Sequence, residues 1–200
     1  MEIEERTIKS QMFQFFYFIR KFVDLLIIRS DFVSFEEINL NEFDFNPFTK
    51  VDDWALLTAG AKDKFNMMTI TGVMCGKFFL KPMIQVYVHP DRYSYRFLEN
   101  NDYFTISFFD VPRHPALQIC GRMHGNECDK VAESGLHPIT FENTVIFEEA
   151  STVFVCKKVY HMDVEKENFD SQQLFKEYYK DSSTFHRIYL GQIEKVLRQK

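Results

Sequence analysis

The sequence contains no GxxxxGK[ST], GxGxxG, HExxH or GxSxG pattern. Nucleoside triphosphate hydrolysis, a Rossmann dinucleotide site, zinc proteolysis and α/β-hydrolase chemistry therefore have no footing in it. A basic excess is also missing: 24 Lys and Arg stand against 29 Asp and Glu, giving a net charge of −5. That argues against nucleic acid as the main partner, because a phosphate-tracking surface needs a basic stripe, yet it leaves room for one local phosphate site. Cysteine is sparse, with Cys75, Cys120, Cys128 and Cys156 far apart and no CxxC pair. This is neither a disulfide framework nor a zinc ribbon, and it reads as reduced thiols in a cytoplasmic protein. There is no internal repeat and no low-complexity linker. A clean membrane span is lacking too. Residues 12–28 are apolar and rich in Phe, but Arg20, Lys21 and Asp24 interrupt them, and charge at the centre of a span is costly. The start carries Glu2, Glu4 and Glu5 without a basic region or a small-residue cleavage site. Residues 1–34 are read as a helical extension outside the core, with an interfacial anchor as the alternative, and residues 35–200 as one domain.

What is present is aromatic. The chain has 23 Phe and nine Tyr but one Trp, a composition suited to pleated, half-buried surface. Trp54-Ala-Leu-Leu-Thr58 reads as a buried strand ending at Ala59-Gly60, and residues 65–73 as a second strand. Pro82 opens a strand through Val88, closed by His89-Pro90. Asp91 is expected to cap a helix with Tyr95, Phe97 and Leu98 on its apolar face. Further strands are expected over 103–109, 145–149, 152–159 and 185–196, the last running into a helix. Short helices are expected over 112–122 and from Asp129. Strands at short intervals with small helices at the corners predict a mainly β, closed antiparallel barrel.

Three groups of residues suggest chemistry. Thr58, Ala59 and Gly60 end one strand, and Asn66 and Thr69 lie at the start of the next, where amides and hydroxyls can line the edge of a flat ring; ordinary hairpin chemistry explains the same residues. Arg92 and Ser94 fall in the first turn of the expected helix, where free N–H groups and a guanidinium attract phosphate. A capped helix with a solvated Arg is the bland alternative. Cys120, His124 and Cys128 have C-x3-H-x3-C spacing, but Gly121 and Gly125 interrupt a helix there and a fourth metal ligand is missing. Cys120 alone is a candidate redox thiol only if Arg122 and His124 lower its pKa.

Taken in order, the segments Asn46-Pro47-Phe48, Asp53-Trp54-Ala-Leu-Leu-Thr-Ala-Gly60 and Phe65-Asn66-Met67-Met68-Thr69 resemble the flavin reductase-like, FMN-binding split-barrel family. The resemblance continues through Lys81-Pro82, Val86-Tyr-Val-His-Pro-Asp-Arg-Tyr-Ser94, Phe104-Thr-Ile-Ser-Phe-Phe109, Cys120-Gly121, Asp129-Lys130 and His186-Arg-Ile-Tyr-Leu-Gly191. It implies a Greek-key split β-barrel that forms a homodimer with FMN near the interface. By the same resemblance, Thr58, Ala59, Gly60, Asn66, Met67, Met68 and Thr69 lie near the isoalloxazine or ribityl chain. His89, Arg92, Tyr93 and Ser94, helped by Lys81, hold the phosphate, and Cys120, Gly121 and Lys130 form a second loop approaching the ring.

Three positions depart from the family pattern. His89 stands where Arg commonly precedes the Pro, which replaces a permanent charge by a titratable one. Thr71-Gly72-Val73 replaces Ser-Trp-Gly, and Phe79-Leu80 replaces Leu-Trp. The activity implied is hydride transfer from NADH or NADPH through FMN, with a redox protein or an oxygenase as acceptor and no catalytic acid or base assigned. The alternatives are a flavoredoxin-like electron-transfer protein and an FMN-binding module without turnover.

Overall fold

The computed structural model describes residues 33–200 except Asp63 and Arg113, so the reading of residues 12–28 lies outside the described residues. The chain divides into two units, Met1–Ser34 and Phe35–Lys200. Among the described residues the strands are β1 (Phe35–Ile38), β2 (Ala55–Ala61), β3 (Lys64–Ile70), β4 (Val73–Phe78), β5 (Lys81–Val88), β6 (Tyr103–Phe108), β7 (Pro138–Phe141), β8 (Thr144–Phe147), β9 (Thr152–Asp163) and β10 (Arg187–Gln199). The helices are α1 (Pro47–Lys50), α2 (Ser94–Asn100), α3 (Pro115–Arg122), α4 (Lys130–Ser134) and α5 (Gln172–Tyr179).

The main sheet is antiparallel and follows the path β3-β2-β6-β9-β10-β5-β4, with β1 added along β10; β7 and β8 form a separate hairpin. The path begins with β3 and finishes with β4, yet only Thr71 and Gly72 separate those strands in the chain. A two-residue link spans only a few ångströms. The sheet must therefore curl until its two ends meet, without pairing, which makes a mainly β Greek-key barrel that is split between β3 and β4. Apolar side chains from β2, β3, β5, β6, β9 and β10 fill the inside as one cluster, including Leu57, Ile84, Val86, Phe104, Ile106, Phe154 and Tyr189. Leu98 on α2 joins the same cluster. A second cluster packs Leu56 and Met67, from the other faces of β2 and β3, against Leu117 and Cys120 of α3 and Phe147 of β8. The alternating period of a strand thus sends successive residues of β2 and β3 into two different cores.

Several expected elements are shifted. Asp91 does not cap α2: the helix begins at Ser94, its N-cap Tyr93 makes no side-chain cap bond, and Asp91 instead sits with Oδ2 3.3 Å from His89 Nδ1. α3 begins at Pro115 rather than Pro112, because His114 accepts a hydrogen bond from Ala116 N–H and Pro115 suits the first helical position. β10 stays extended through Gln199 instead of turning helical, held by β9 and β5 and then by β1. β1, α1, β4, β7 and α5 have no counterpart among the expected elements. β4 pairs with β5 in a hairpin whose two-residue turn, Phe79-Leu80, holds φ at 51° and 61°.

Candidate functional site at the barrel split

The split is bordered by a pocket of about 380 Å³ lined by Met68, Thr69, Ile70, Thr71, Gly72, Tyr87, His89, Arg92 and His186. Strand register explains the grouping. Ile84, Val86 and Val88 of β5 point into the core, so period two sends Tyr87 and His89 to the opposite face. Arg187 pairs with Val88, and one step further sets His186 across from His89. Val73 pairs with Val86, and one step back brings Gly72 beside Tyr87. The imidazoles of His89 and His186 meet edge to face at 5.2 Å between centroids.

Each wall is tied down. His89 Nε2 lies 3.2 Å from the Thr184 carbonyl oxygen and 3.1 Å from its hydroxyl. Tyr179 OH lies 2.7 Å from His186 Nδ1. Burial, and then the neighbouring His89, hold the His186 imidazole below its usual pKa. Arg92 precedes α2 and donates from Nη2 to the Gly121 carbonyl at 2.7 Å, which anchors the guanidinium to the end of α3. Thr69 Oγ1 donates to the Leu117 carbonyl.

Behind this pocket three segments are sewn to β3. Asn66 Nδ2 donates to Ser94 Oγ at 2.7 Å, both residues being buried. Lys130, 6% exposed, donates to the carbonyls of Met67 and Cys120 at 2.9 Å each. Burial lowers the Lys130 pKa from its ordinary value, and the two carbonyl acceptors compensate for the ammonium's lost hydration. At Gly125 a methyl group would collide with Asn66 Oδ1, so the loop after α3 approaches β3 as closely as only glycine permits.

The structure brings together Met68, Thr69, His89 and Arg92 from the residues singled out in the sequence, with Ser94, Asn66, Gly121, Cys120 and Lys130 linked directly behind them. Tyr93 packs its ring beneath Arg96, 3.5 Å from the guanidinium carbon. Asn66, Met67 and Lys130 border a different pocket, of about 460 Å³, nearer the start of β3. Thr58, Ala59 and Gly60 are buried within β2 and line neither pocket. Gly60 instead supplies a φ of 103° where the chain turns towards β3. Lys81 starts β5 and is exposed, roughly 25 Å from His89 at about 3.3 Å per residue. Cys120 is buried, and burial pushes its thiol up to about 11, which removes it as a thiolate nucleophile. Cys128 donates from Sγ to the His124 carbonyl at 3.4 Å, and no group of three or more metal-ligating side chains is found among the described residues. Tyr87 and His186 were not singled out as site residues, although period two along β5 and its register with β10 mark both.

An apolar groove of about 640 Å³ lies elsewhere, between the β4–β5 hairpin and β9 and β10, bordered by Met74, Phe78, Phe79, Tyr160 and Met162. All five are exposed, as is Leu80 at 96%.

The fold matches solved structures at low identity. A flavin reductases-like enzyme's FMN-binding domain from Shewanella baltica has 12% identity and a TM-score of 0.59, over 83% of this chain and 78% of that one. Flavoredoxin from Methanosarcina acetivorans has 20% identity and a TM-score of 0.54, over 80% and 74%. The NADH:FAD oxidoreductase SgcE6 of Streptomyces globisporus has 12% and 0.53, over 74% and 78%. No curated protein sequence matches the chain. The family model of the flavin reductase like domain matches residues 53–199, the stretch that builds both the split barrel and the pocket beside it, and the chain belongs to that family.

Proposed function

We propose that the pocket at the barrel split binds FMN and that the protein is an NAD(P)H-dependent flavin reductase. The observation that carries this reading is the convergence of Met68 and Thr69 from β3, Tyr87 from β5, His89 just beyond its end, and Arg92 from the turn before α2 around one pocket. The residues fit the cofactor. Met68, Ile70 and Tyr87 offer apolar surface to a flat ring, Thr69 and Thr71 offer hydroxyls, and Arg92 offers a fixed guanidinium to a phosphate. The pocket's size falls within the about 300–1,000 Å³ usual for small-molecule sites. Bound flavin supplies the hydride and electron chemistry. The chain's own residues would position it: the Arg92–Gly121 bond ties the turn before α2 to α3, the Asn66–Ser94 bond ties α2 to β3, and the buried Lys130 joins α3 to β3. No side chain is assigned as acid or base.

Related folds support the reading by what they bind: an FMN-binding domain in Shewanella baltica and an NADH:FAD oxidoreductase in Streptomyces globisporus. The flavoredoxin of Methanosarcina acetivorans supports the second reading, an electron-transfer protein that takes its electrons from a redox partner. We assign the apolar groove beside the β4–β5 hairpin to a second copy of the chain, which makes the proposed functional unit a homodimer. Reduced flavin would then serve a redox protein or an oxygenase.

The test is an absorbance spectrum of the purified protein with and without added FMN, followed by NADH and NADPH. The expected result is a yellow complex that bleaches with one of the two nicotinamides. FMN retained but reduced only by a redox protein selects the electron-transfer reading. Absence of any flavin complex removes both.

A further inference from the structure

Strand register divides the outer face of β5 between two cavities. Met83 and Gln85 border the apolar groove, whereas Tyr87, next on the same face, borders the pocket at the split. A hydrogen bond crosses that boundary: Gln85 Nε2 donates to Tyr87 Oη at 2.7 Å. Resting on the FMN reading above, we propose that Gln85 is a positioning residue. By donating to the Tyr87 oxygen it leaves the phenol hydrogen for the cofactor, and so favours the cofactor's reduced form.

A phenol carries one hydrogen and an oxygen that accepts. At Tyr87 the oxygen receives the Gln85 amide, and no acceptor for the hydrogen is found among the described residues. The other hydroxyls lining the pocket differ. Thr69 spends its hydrogen on the Leu117 carbonyl, and Thr71 is exposed to solvent. Tyr87 is half-buried, where a donor without an acceptor is costly and a ligand that accepts is rewarded. Burial raises the phenol above its usual pKa, and the Gln85 hydrogen bond offsets only part of the rise. The phenol therefore keeps its hydrogen through the neutral range. Gln85 is itself held in place. Its register partners are Met74 on β4 and Leu190 on β10, and Met74 Sδ lies 3.9 Å from Nε2.

Reduction adds electron density to the ring nitrogens and carbonyl oxygens of a flavin. A hydrogen bond strengthens when its acceptor gains negative charge. A donor aimed in advance therefore binds the reduced ring better than the oxidised one, with no reorganisation at the moment of transfer. Gln85 supplies the aim and Tyr87 the hydrogen. Without the amide, the phenol oxygen loses its fixed partner and the hydrogen is free to turn towards solvent.

The test is the midpoint potential of protein-bound FMN relative to free FMN, with dithionite as the reductant. Through a thermodynamic cycle that difference is the ratio of affinities for oxidised and reduced flavin. We expect Tyr87→Phe to weaken reduced FMN relative to oxidised FMN by about tenfold. Gln85→Leu should shift the ratio the same way by a smaller factor, and should change it no further once Tyr87 is Phe. A merely structural contact would weaken both redox forms alike and leave the ratio unmoved. Should Gln85→Leu fail to fold, Tyr87→Phe, which removes a single oxygen, still reads the donor. A ratio unchanged in Tyr87→Phe overturns the role of the phenol. A ratio unchanged in Gln85→Leu, or a Gln85→Leu effect that persists in full alongside Tyr87→Phe, overturns the role of Gln85. Failure of FMN to bind in either redox state instead overturns the FMN reading and this inference with it.

Discussion

Asn66 and Ser94 are 28 positions apart and both lie in the buried layer behind the pocket. Removing the Ser94 hydroxyl leaves the Asn66 amide with no acceptor where water is excluded, at a cost of about 1–3 kcal/mol. Urea unfolding of Ser94→Ala should show a loss of that size, and a loss under about 0.5 kcal/mol would mean the contact contributes little. Gly60 makes a second residue-scale case. Its φ of 103°, together with the Lys64 carbonyl oxygen where a methyl would go, predicts that Gly60→Ala destabilises by about 2 kcal/mol or more. Thermal unfolding checks it. At this scale four residues singled out in the sequence, Met68, Thr69, His89 and Arg92, line the candidate pocket, and Gly121 bonds Arg92 on its wall. Thr58 and Ala59 were less legible. Their alternation with Leu57 looks the same whether a strand has one buried face or two, and β2 is covered on both. Lys81 opens β5 at the end opposite His89, and how far apart those ends lie is not shown by local residues.

Elements were legible where periodicity was strong and invisible where pairing decided. β2, β3, β5 and β6 announce themselves as apolar runs between turn residues. β4 does not, because Val73-Met-Cys-Gly-Lys-Phe78 is exposed along most of its length and exists as a strand through its ladder with β5. The junction of α2 with β9 and β10 offers a test at element scale. Arg187 grips Asp163 through two bonds of 2.6 and 2.7 Å and reaches Glu99 on α2 at 2.9 Å. Tyr189 donates to the same Glu99 at 2.7 Å. Burial alone would raise the Glu99 carboxyl, but the Tyr189 hydroxyl and the Arg187 guanidinium outweigh it and leave it below its ordinary pKa. The Arg187 hydrogen bond lowers Asp163 likewise. Carboxyls depressed in the folded state stabilise it above their unfolded values, about pH 4, and that contribution disappears as pH falls through the folded ones. The urea midpoint should therefore drop below about pH 4, and Glu99→Gln should shrink the drop. An equal acid slope in the variant would show that this junction contributes nothing to acid sensitivity.

At the scale of the molecule, the antiparallel β architecture was readable from spacing and turn residues, whereas the order of strands and the position of the split were not. That position follows from Thr71-Gly72 joining the two ends of the sheet, a fact of topology. Assembly also belongs to this scale. Phe79 is 69% exposed and Leu80 96%, beside an apolar groove, and contiguous apolar surface of this kind marks an interaction site. Analytical ultracentrifugation should find a dimer that Phe79→Asp converts to monomer. A monomer at every concentration in the unaltered protein would refute the assignment.

The Phe79-Leu80 turn carries one more consequence. Two successive residues in the left-handed region are the geometry of a hairpin that favours Asn-Gly, and Phe and Leu each cost about 1–3 kcal/mol there. Local frustration of this sort persists when a segment is selected for something other than folding. Under the proposed homodimer, stability of the single chain and cohesion between chains are set in opposition at one hairpin tip. An Asn-Gly replacement should give a hardier monomer that no longer self-associates, so a thermostabilising search guided by turn preference would select against assembly.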